Sequence, residues 1–241
     1  MENPLPFKAA ADAFANALSH HPPIRAVNFH STPKTRASEY RRQLASLSSR
    51  FAAVSEDDLD QYLATGRWHK PKPGVIIALY DASRNGYDVI LPLLNEFGLI
   101  GWYFVLTGFV SAAPADQLAY AKAHDIGVKA EEYADGRQAL SWSELREIDR
   151  RHVVASHARS HVSLATLDDA ARESEVLGSQ RDFQENLGHP VRTFVSYGGP
   201  AHGIHPKSDS LINQAGYQFV FSNLKIQRLC DRAGKQGSRR F

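Results

Sequence analysis

The 241 residues carry 28 basic and 26 acidic side chains, a formal net charge of +2, with 43% hydrophobic and 22% charged residues. That balance excludes a mostly disordered chain and gives no field strong enough to argue for nucleic acid or an anionic membrane as a partner. The length suits one large domain, the single cysteine, Cys230, excludes an internal disulfide, and no run of about 18 apolar residues marks a transmembrane helix.

Residues 5–19 (LPFKAAADAFANALS) place apolar side chains at helical spacing and stop before Pro22-Pro23, which predicts a peripheral N-terminal helix. The segment lacks the basic and uninterrupted apolar regions of a secretory signal, so a soluble and by default cytoplasmic protein is expected; a chain trimmed behind an added Met would read the same. IRAVNFHS predicts a short strand, and ASEYRRQLASLSSRF a helix with Tyr40, Leu44, Leu47 and Phe51 on one face. SEDDLDQYLATG predicts a second helix, with Ser55 as N-cap, acids in the first turn and Gly66 at its end.

Val75 to Leu79 form a continuous apolar run, as expected of a strand buried on both faces. After the polar turn SRNG, YDVILPLLNEFG predicts a helix and LIGWYFVLTGFV another apolar strand segment. Residues 111–140 read as polar and helical in pieces, and SWSELREIDRR as a helix capped by Ser141 or Ser143. VVAS is a strand, LDDAARESEVLGSQRDFQENLG a long helix closed by Gly188, VRTFVSYGG a strand, SDSLINQAG a helix and YQFVFSN a strand. The expected organisation is an N-terminal extension over 1–25, one α/β domain over 26–228 and a basic, glycine-containing tail over 229–241.

Six or seven strand–helix alternations suit a parallel (β/α) barrel or a doubly wound sheet, and both put functional residues at the carboxyl ends of strands. Three polar clusters stand there: Tyr80-Asp81, Ser156-His157 and Tyr197-Gly198-Gly199. Asp81, His157 and His161 together offer one carboxylate and two imidazoles, a donor set for a divalent transition metal with positions left open for water and substrate. With 11 histidines in the chain, about half an i,i+4 pair is expected by chance, so the same residues also read as a turn aspartate and two surface or capping histidines.

The order of four segments resembles the polysaccharide deacetylases of the NodB-homology group, carbohydrate esterase family four, over roughly residues 26–228. A buried strand ending in T-F-D-D-G with a following Pro-Leu-Leu helix is matched by VIIALYDASRNGYDVILPLLNEFG. S-H-x-x-x-H-x-x-L is matched by SHARSHVSL, then E-x-x-x-S-x-x-x-x-x-x-x-L-G by EVLGSQRDFQENLG. FVSYGG and GYQFVFSN follow the later strand patterns.

The resemblance implies a distorted (β/α)7-type barrel and a hydrolase of non-peptide C–N bonds that removes acetyl groups from N-acetylated polysaccharides or oligosaccharides. It makes Asp81, His157 and His161 the metal ligands, with Zn2+ first among candidates and Co2+, Ni2+, Mn2+ or Fe2+ as alternatives.

Three departures stand out, one being that FVSYGG lacks the arginine or proline of the family's third motif. The family's general base is an aspartate at the position of Tyr80, and a phenol with an ordinary pKa near 10 is a poor base at neutral pH. The late histidine that serves as acid has no match in NLKIQRLCDRAGKQG, which leaves His202 and His205 as substitutes or as plain loop histidines, and His30 with the same standing. A hydrogen bond from Tyr80 to the oxyanion is the other way around the missing base.

Tyr197, Gly198, Gly199 and His30 are expected to border the substrate. Trp68, Trp102, Tyr103 and Trp142 could stack on a sugar, with Trp102 and Tyr103 assigned to the core by their place inside an apolar strand. The alternative function is a catalytically impaired homologue that binds carbohydrate or metal.

Overall fold

The structure, a computed structural model, describes residues 24–229. The expected helix over 5–19 and the tail beyond residue 229 lie outside the described residues. One sheet organises the rest. β1 (Arg25–Phe29), β3 (Gly74–Tyr80), β4 (Gly101–Val105), β5 (Val153–Ser156), β6 (Thr193–Val195), β7 (Phe219–Phe221) and β8 (Ile226–Arg228) follow one another in that spatial order. All neighbours are parallel except β7 and β8. The two-residue β2 (Ala52–Ala53) runs beside the start of β3, ahead of β4. The sheet curls into a half-barrel with helices outside, the expected distorted barrel, and β1 and β8 stand at the two ends of the strand order.

Side chains alternate across the sheet, so the continuous apolar run of β3 is shared between two cores. Ile76 and Ala78 face the concave side, packing with Trp102, Phe104, Ala155, Val195, Phe219 and Phe221. Val75, Ile77 and Leu79 face the helices, among them Leu44 of α1 (Ala37–Arg50), Leu94 of α3 (Leu91–Phe97) and Phe183 of α7 (Asp169–Leu187). Phe104 is fully buried, and its truncation to Ala would cost about 3–5 kcal/mol. Trp102 and Tyr103 are core residues as their strand position implied.

The helices begin and end where short-range chemistry directs. α2 (Glu56–Thr65) starts in a capping box, the Asp58 amide donating to Ser55 Oγ at 3.1 Å and the Ser55 amide to Asp58 Oδ2 at 2.8 Å. Gly66, at φ 70°, ends it. Ser141 rather than Ser143 caps α6 (Trp142–Ile148), again with a capping box. Asp168 caps α7, and Gly188 closes it.

Two elements differ from expectation for local reasons. The helix after SRNG opens as a wide π-type turn over Gly86–Ile90 before α3 proper, because Pro92 has no N–H to give back to residue 88. The apolar segment LIGWYFVLTGFV is a strand only to Val105; α4 (Thr107–Ser111) follows. The amides of Thr107 and Gly108 donate to the carbonyls of Ala158 and Arg159 at 3.2 and 2.9 Å, which pulls the chain out of the sheet. Within residues 111–140 the one regular helix is α5 (Gln117–Ala123), and α8 (Pro206–Gln214) precedes β7. Among the described residues no helix is long and apolar enough to cross a membrane.

Candidate active site

Asp81, His157 and His161 converge at the carboxyl ends of β3 and β5. Asp81 follows the last residue of β3 and has φ 69°, with Ala82 at φ 56°, so the chain turns sharply at the strand end and swings the carboxylate over the sheet. Left-handed backbone is tolerated by Asp and costs an Ala side chain on the order of 1 kcal/mol. His157 follows β5 directly, and Ala158, at φ 67°, turns the chain so that His161 comes back to the same point.

The Oδ1 atom of Asp81 lies 3.7 Å from Nε2 of His157 and 3.8 Å from Nε2 of His161. These distances are too long for hydrogen bonds. Oδ1 is buried and has no hydrogen-bond partner among the described residues. Two ligand atoms each about 2.1 Å from a tetrahedral ion would stand about 3.4 Å apart, so an ion fits among the three atoms with a small adjustment.

The far nitrogens of both rings are held. His157 Nδ1 lies 3.1 Å from the carbonyl of Val195 in β6, and His161 Nδ1 lies 2.9 Å from the carbonyl of His124. A carbonyl only accepts, so each Nδ1 donates and each Nε2 turns its lone pair toward Asp81, as metal-binding imidazoles require. Burial pushes the pKa of His157 down to about 3, keeping it neutral and able to ligate near neutral pH. Burial also raises the Asp81 pKa, with the His161 and His30 imidazoles acting against it. The burial penalty on this carboxylate is the electrostatic counterpart of the unpaired Oδ1.

The loop that carries the two histidines is itself anchored from α7. Glu175 accepts from the amides of Arg159 and Ser160 at 2.9 and 2.8 Å and from the Ser160 hydroxyl. Arg159 in turn donates to both carboxylate oxygens of Asp182, at 2.9 and 2.6 Å.

Around the cluster lies an open cleft of about 440 Å3. Tyr80, His30, Tyr197, Gly198 and Gly199 all border it. Tyr80 is stacked between the rings of His30 and Phe104, at centroid distances of 5.1 and 4.9 Å, and burial, with the Asp81 charge, pushes its pKa up to about 12. Tyr197 is exposed and stands edge-on to His161 at 4.5 Å. Gly199 has φ 58°, and a Cβ there would come within 2.6 Å of Asn223 Oδ1, so glycine lets the β7–β8 turn close on the cleft.

His202 and His205 are not brought to this cleft. They line a smaller cavity with Leu164 and Asp209, which meets the cleft only through Ser196 and Tyr197. Trp68 packs in the concave-side cluster and Trp142 against Phe183. Sequence reasoning missed six lining residues, among them Asn28, Asp125 and Asn223, which sit on strand ends or turns without any motif to mark them.

The polysaccharide deacetylase family model matches residues 69–220, which take in all three cluster residues. The chain belongs to the polysaccharide deacetylase family. Solved structures agree on the fold. The deacetylase PplD of Streptococcus pyogenes, solved in complex with acetate, superposes with a TM-score of 0.62 at 13% identity, covering 86% of this chain and 84% of that one. IcaB from Ammonifex degensii gives 0.58 at 18% identity, covering 83% of each chain. The deacetylase domain of BpsB from Bordetella bronchiseptica gives 0.57 at 17% identity, with 82% of this chain and 87% of that one covered. A comparison with curated proteins finds no match.

Proposed function

We propose that this polysaccharide deacetylase homologue is a metal-dependent hydrolase that removes acetyl groups from an N-acetylated saccharide. One observation carries the reading: the buried, unpartnered Oδ1 of Asp81 faces two imidazole Nε2 atoms whose opposite nitrogens are fixed by backbone carbonyls. Two imidazoles and a carboxylate suit Zn2+ first, and Co2+, Ni2+, Mn2+ or Fe2+ as well. A bound ion would polarise the acetamide carbonyl and acidify the attacking water.

The chain's own residues supply the remainder. Tyr80 keeps its proton through the neutral range, so its hydroxyl serves as a hydrogen-bond donor to the carbonyl oxygen as negative charge builds on it, and not as the base its position suggests. His30, stacked on Tyr80 at the same cleft, is the histidine suited to give a proton to the departing nitrogen. Tyr197 offers an apolar face for a sugar ring, while Asn28 and Asn223 offer hydrogen bonds to its hydroxyls. The cleft volume suits one or two sugar units. Acetate, bound in the Streptococcus pyogenes relative, is the acid such a reaction releases.

The test is acetate release from N-acetylated chitooligosaccharides by the Zn2+-replete protein and by its His157→Ala variant, with metal content measured in both. Zinc and activity present in the native protein and lost in the variant support the reading. A native protein that takes up no divalent metal overturns it.

A further inference from the structure

We propose that Asp125 is the proton acceptor for the attacking water, filling the role that Tyr80 cannot; the proposal rests on the deacetylase reading above. Of the titratable groups that border the cleft, Asp81, His157 and His161 are committed to the metal cluster, and Tyr80 is a phenol, an intrinsically poor base, stacked between His30 and Phe104. His30, Tyr197 and Asp125 remain, and Asp125 is the one carboxylate left among the described residues that line the cleft.

Its position is held from both sides. The carbonyl of His124, the preceding residue, is 2.9 Å from Nδ1 of His161, which ties this turn to a metal ligand. The amide of the following residue, buried Ile126, donates to the Ala121 carbonyl at 2.9 Å and closes the end of α5. Between them Asp125 has φ 52°, a left-handed conformation that aspartate adopts more readily than most residues and that turns the chain at the rim of the cleft.

The carboxylate is also uncommitted. Acids further along the chain are paired, Asp135 with Arg84 at 2.8 Å and Glu144 with Arg137 at 2.7 Å. Asp125 has no ion pair or hydrogen bond among the described residues, and its charge is felt at Asp81. A free carboxylate that lines the same cleft as the metal cluster is suited to act as a general base there.

In the reaction the water oxygen bonds to the acetamide carbon while one of its protons passes to the Asp125 carboxylate. The C–N bond then breaks as the nitrogen takes a proton from His30, yielding the free amine and acetic acid. Asp125 returns its proton to solvent and His30 regains one.

The experiment uses the Zn2+-loaded full chain, its Asp125→Asn, Asp125→Glu and His30→Gln variants, and Asp125→Asn combined with Tyr80→Asp. Turnover of chitooligosaccharide is one readout. The other is the binding of acetohydroxamate, a chelator that loses its proton on binding, followed by calorimetry in buffers of different ionisation heat to count protons released.

Asp125→Asn is expected to keep its zinc, to lose about a hundredfold or more in kcat with a smaller change in KM, and to release an extra proton per inhibitor bound. Asp125→Glu restores part of the rate, and Tyr80→Asp restores turnover in the Asp125→Asn background. Wild-type kcat in Asp125→Asn, or the extra proton released by His30→Gln in place of Asp125→Asn, overturns the proposal. If the native protein binds zinc and hydroxamate but turns nothing over, the deacetylase reading falls while the proton count still decides the role of Asp125.

Discussion

Asp81 Oδ1 and His157 Nε2 stand 3.7 Å apart with no donor between them, and the far side of the imidazole is already fixed by the Val195 carbonyl. Without a cation this arrangement is costly, because burial raises the carboxyl pKa and so penalises the charged form. A ligand that binds only the folded state stabilises it by mass action, by about 2.7 kcal/mol at a hundredfold excess over Kd. Thermal unfolding with and without Zn2+ is therefore expected to show an upward shift of several degrees in Tm. The shift disappears in Asp81→Ala, where relief from burying the carboxyl is opposed by a cost on the order of 1 kcal/mol for Ala at φ 69°. A zinc shift that survives Asp81→Ala would place the ion elsewhere.

Tyr80→Phe separates the two roles open to that residue. Its ring packing on Phe104 and His30 is preserved, so fold and zinc affinity are expected to stay unchanged. Loss of a donor to the oxyanion lowers kcat by about 10–1000-fold with little change in KM. Steady-state kinetics of the zinc-loaded variant check this, and an unchanged kcat would remove the hydroxyl from the mechanism.

Glu175 has no contact with the cluster, yet it accepts the two amides that shape the loop between His157 and His161. Glu175→Gln replaces charge-assisted acceptors with a weaker one and puts an amide NH2 near donors, a cost of about 1.5–3 kcal/mol. Zinc affinity is expected to fall about 10–100-fold, as for other groups that orient metal ligands. Calorimetric titration with zinc reads the effect directly.

Acid sensitivity has a source away from the cluster. His152 is buried beneath β4, its Nδ1 accepting from the Gly101 amide at 3.1 Å and its Nε2 3.3 Å from Asn95 Oδ1. Burial lowers its pKa from 6.5 to about 4. In the unfolded chain the imidazole protonates near 6.5, so the unfolded state gains protons first and stability falls as pH drops from about 6.5 toward 4. The loss is on the order of 2 kcal/mol. Urea unfolding at pH 7 and pH 5 is expected to show a smaller difference for His152→Gln than for the native protein.

The legible parts of the molecule were those encoded by contiguous residues. Val75 to Leu79 could be read as a doubly buried strand and Ser55 and Gly66 as the ends of α2, because each signal lies within one element. What escaped notice depends on contacts between distant segments. α4 was hidden because LTGFV continues the apolar pattern of β4, and only the carbonyls of Ala158 and Arg159 divert it. Asp125 carries no motif, since what brings it to the cleft is a hydrogen bond spanning 37 residues between His161 and His124. His202 and His205 were assigned by nearness in sequence to β6, but Gly198 and Gly199, both at positive φ and both bonded to Asn223, turn the chain away before it reaches them.

The two carbonyls that orient the histidines come from opposite sides of the ligand loop in sequence, His124 after α5 and Val195 in β6. An unfolded chain can offer an ion no more than the local pair His157 and His161, with free choice of tautomer and no carboxylate nearby. If the cluster takes up a metal, high-affinity uptake would wait until β3, β5 and β6 have assembled and the α5 turn has docked, which would make the arrival of metal a late event in maturation. Zinc occupancy would then report that folding is complete, and a nascent or misfolded copy would be excluded from the working pool by failing to acquire it.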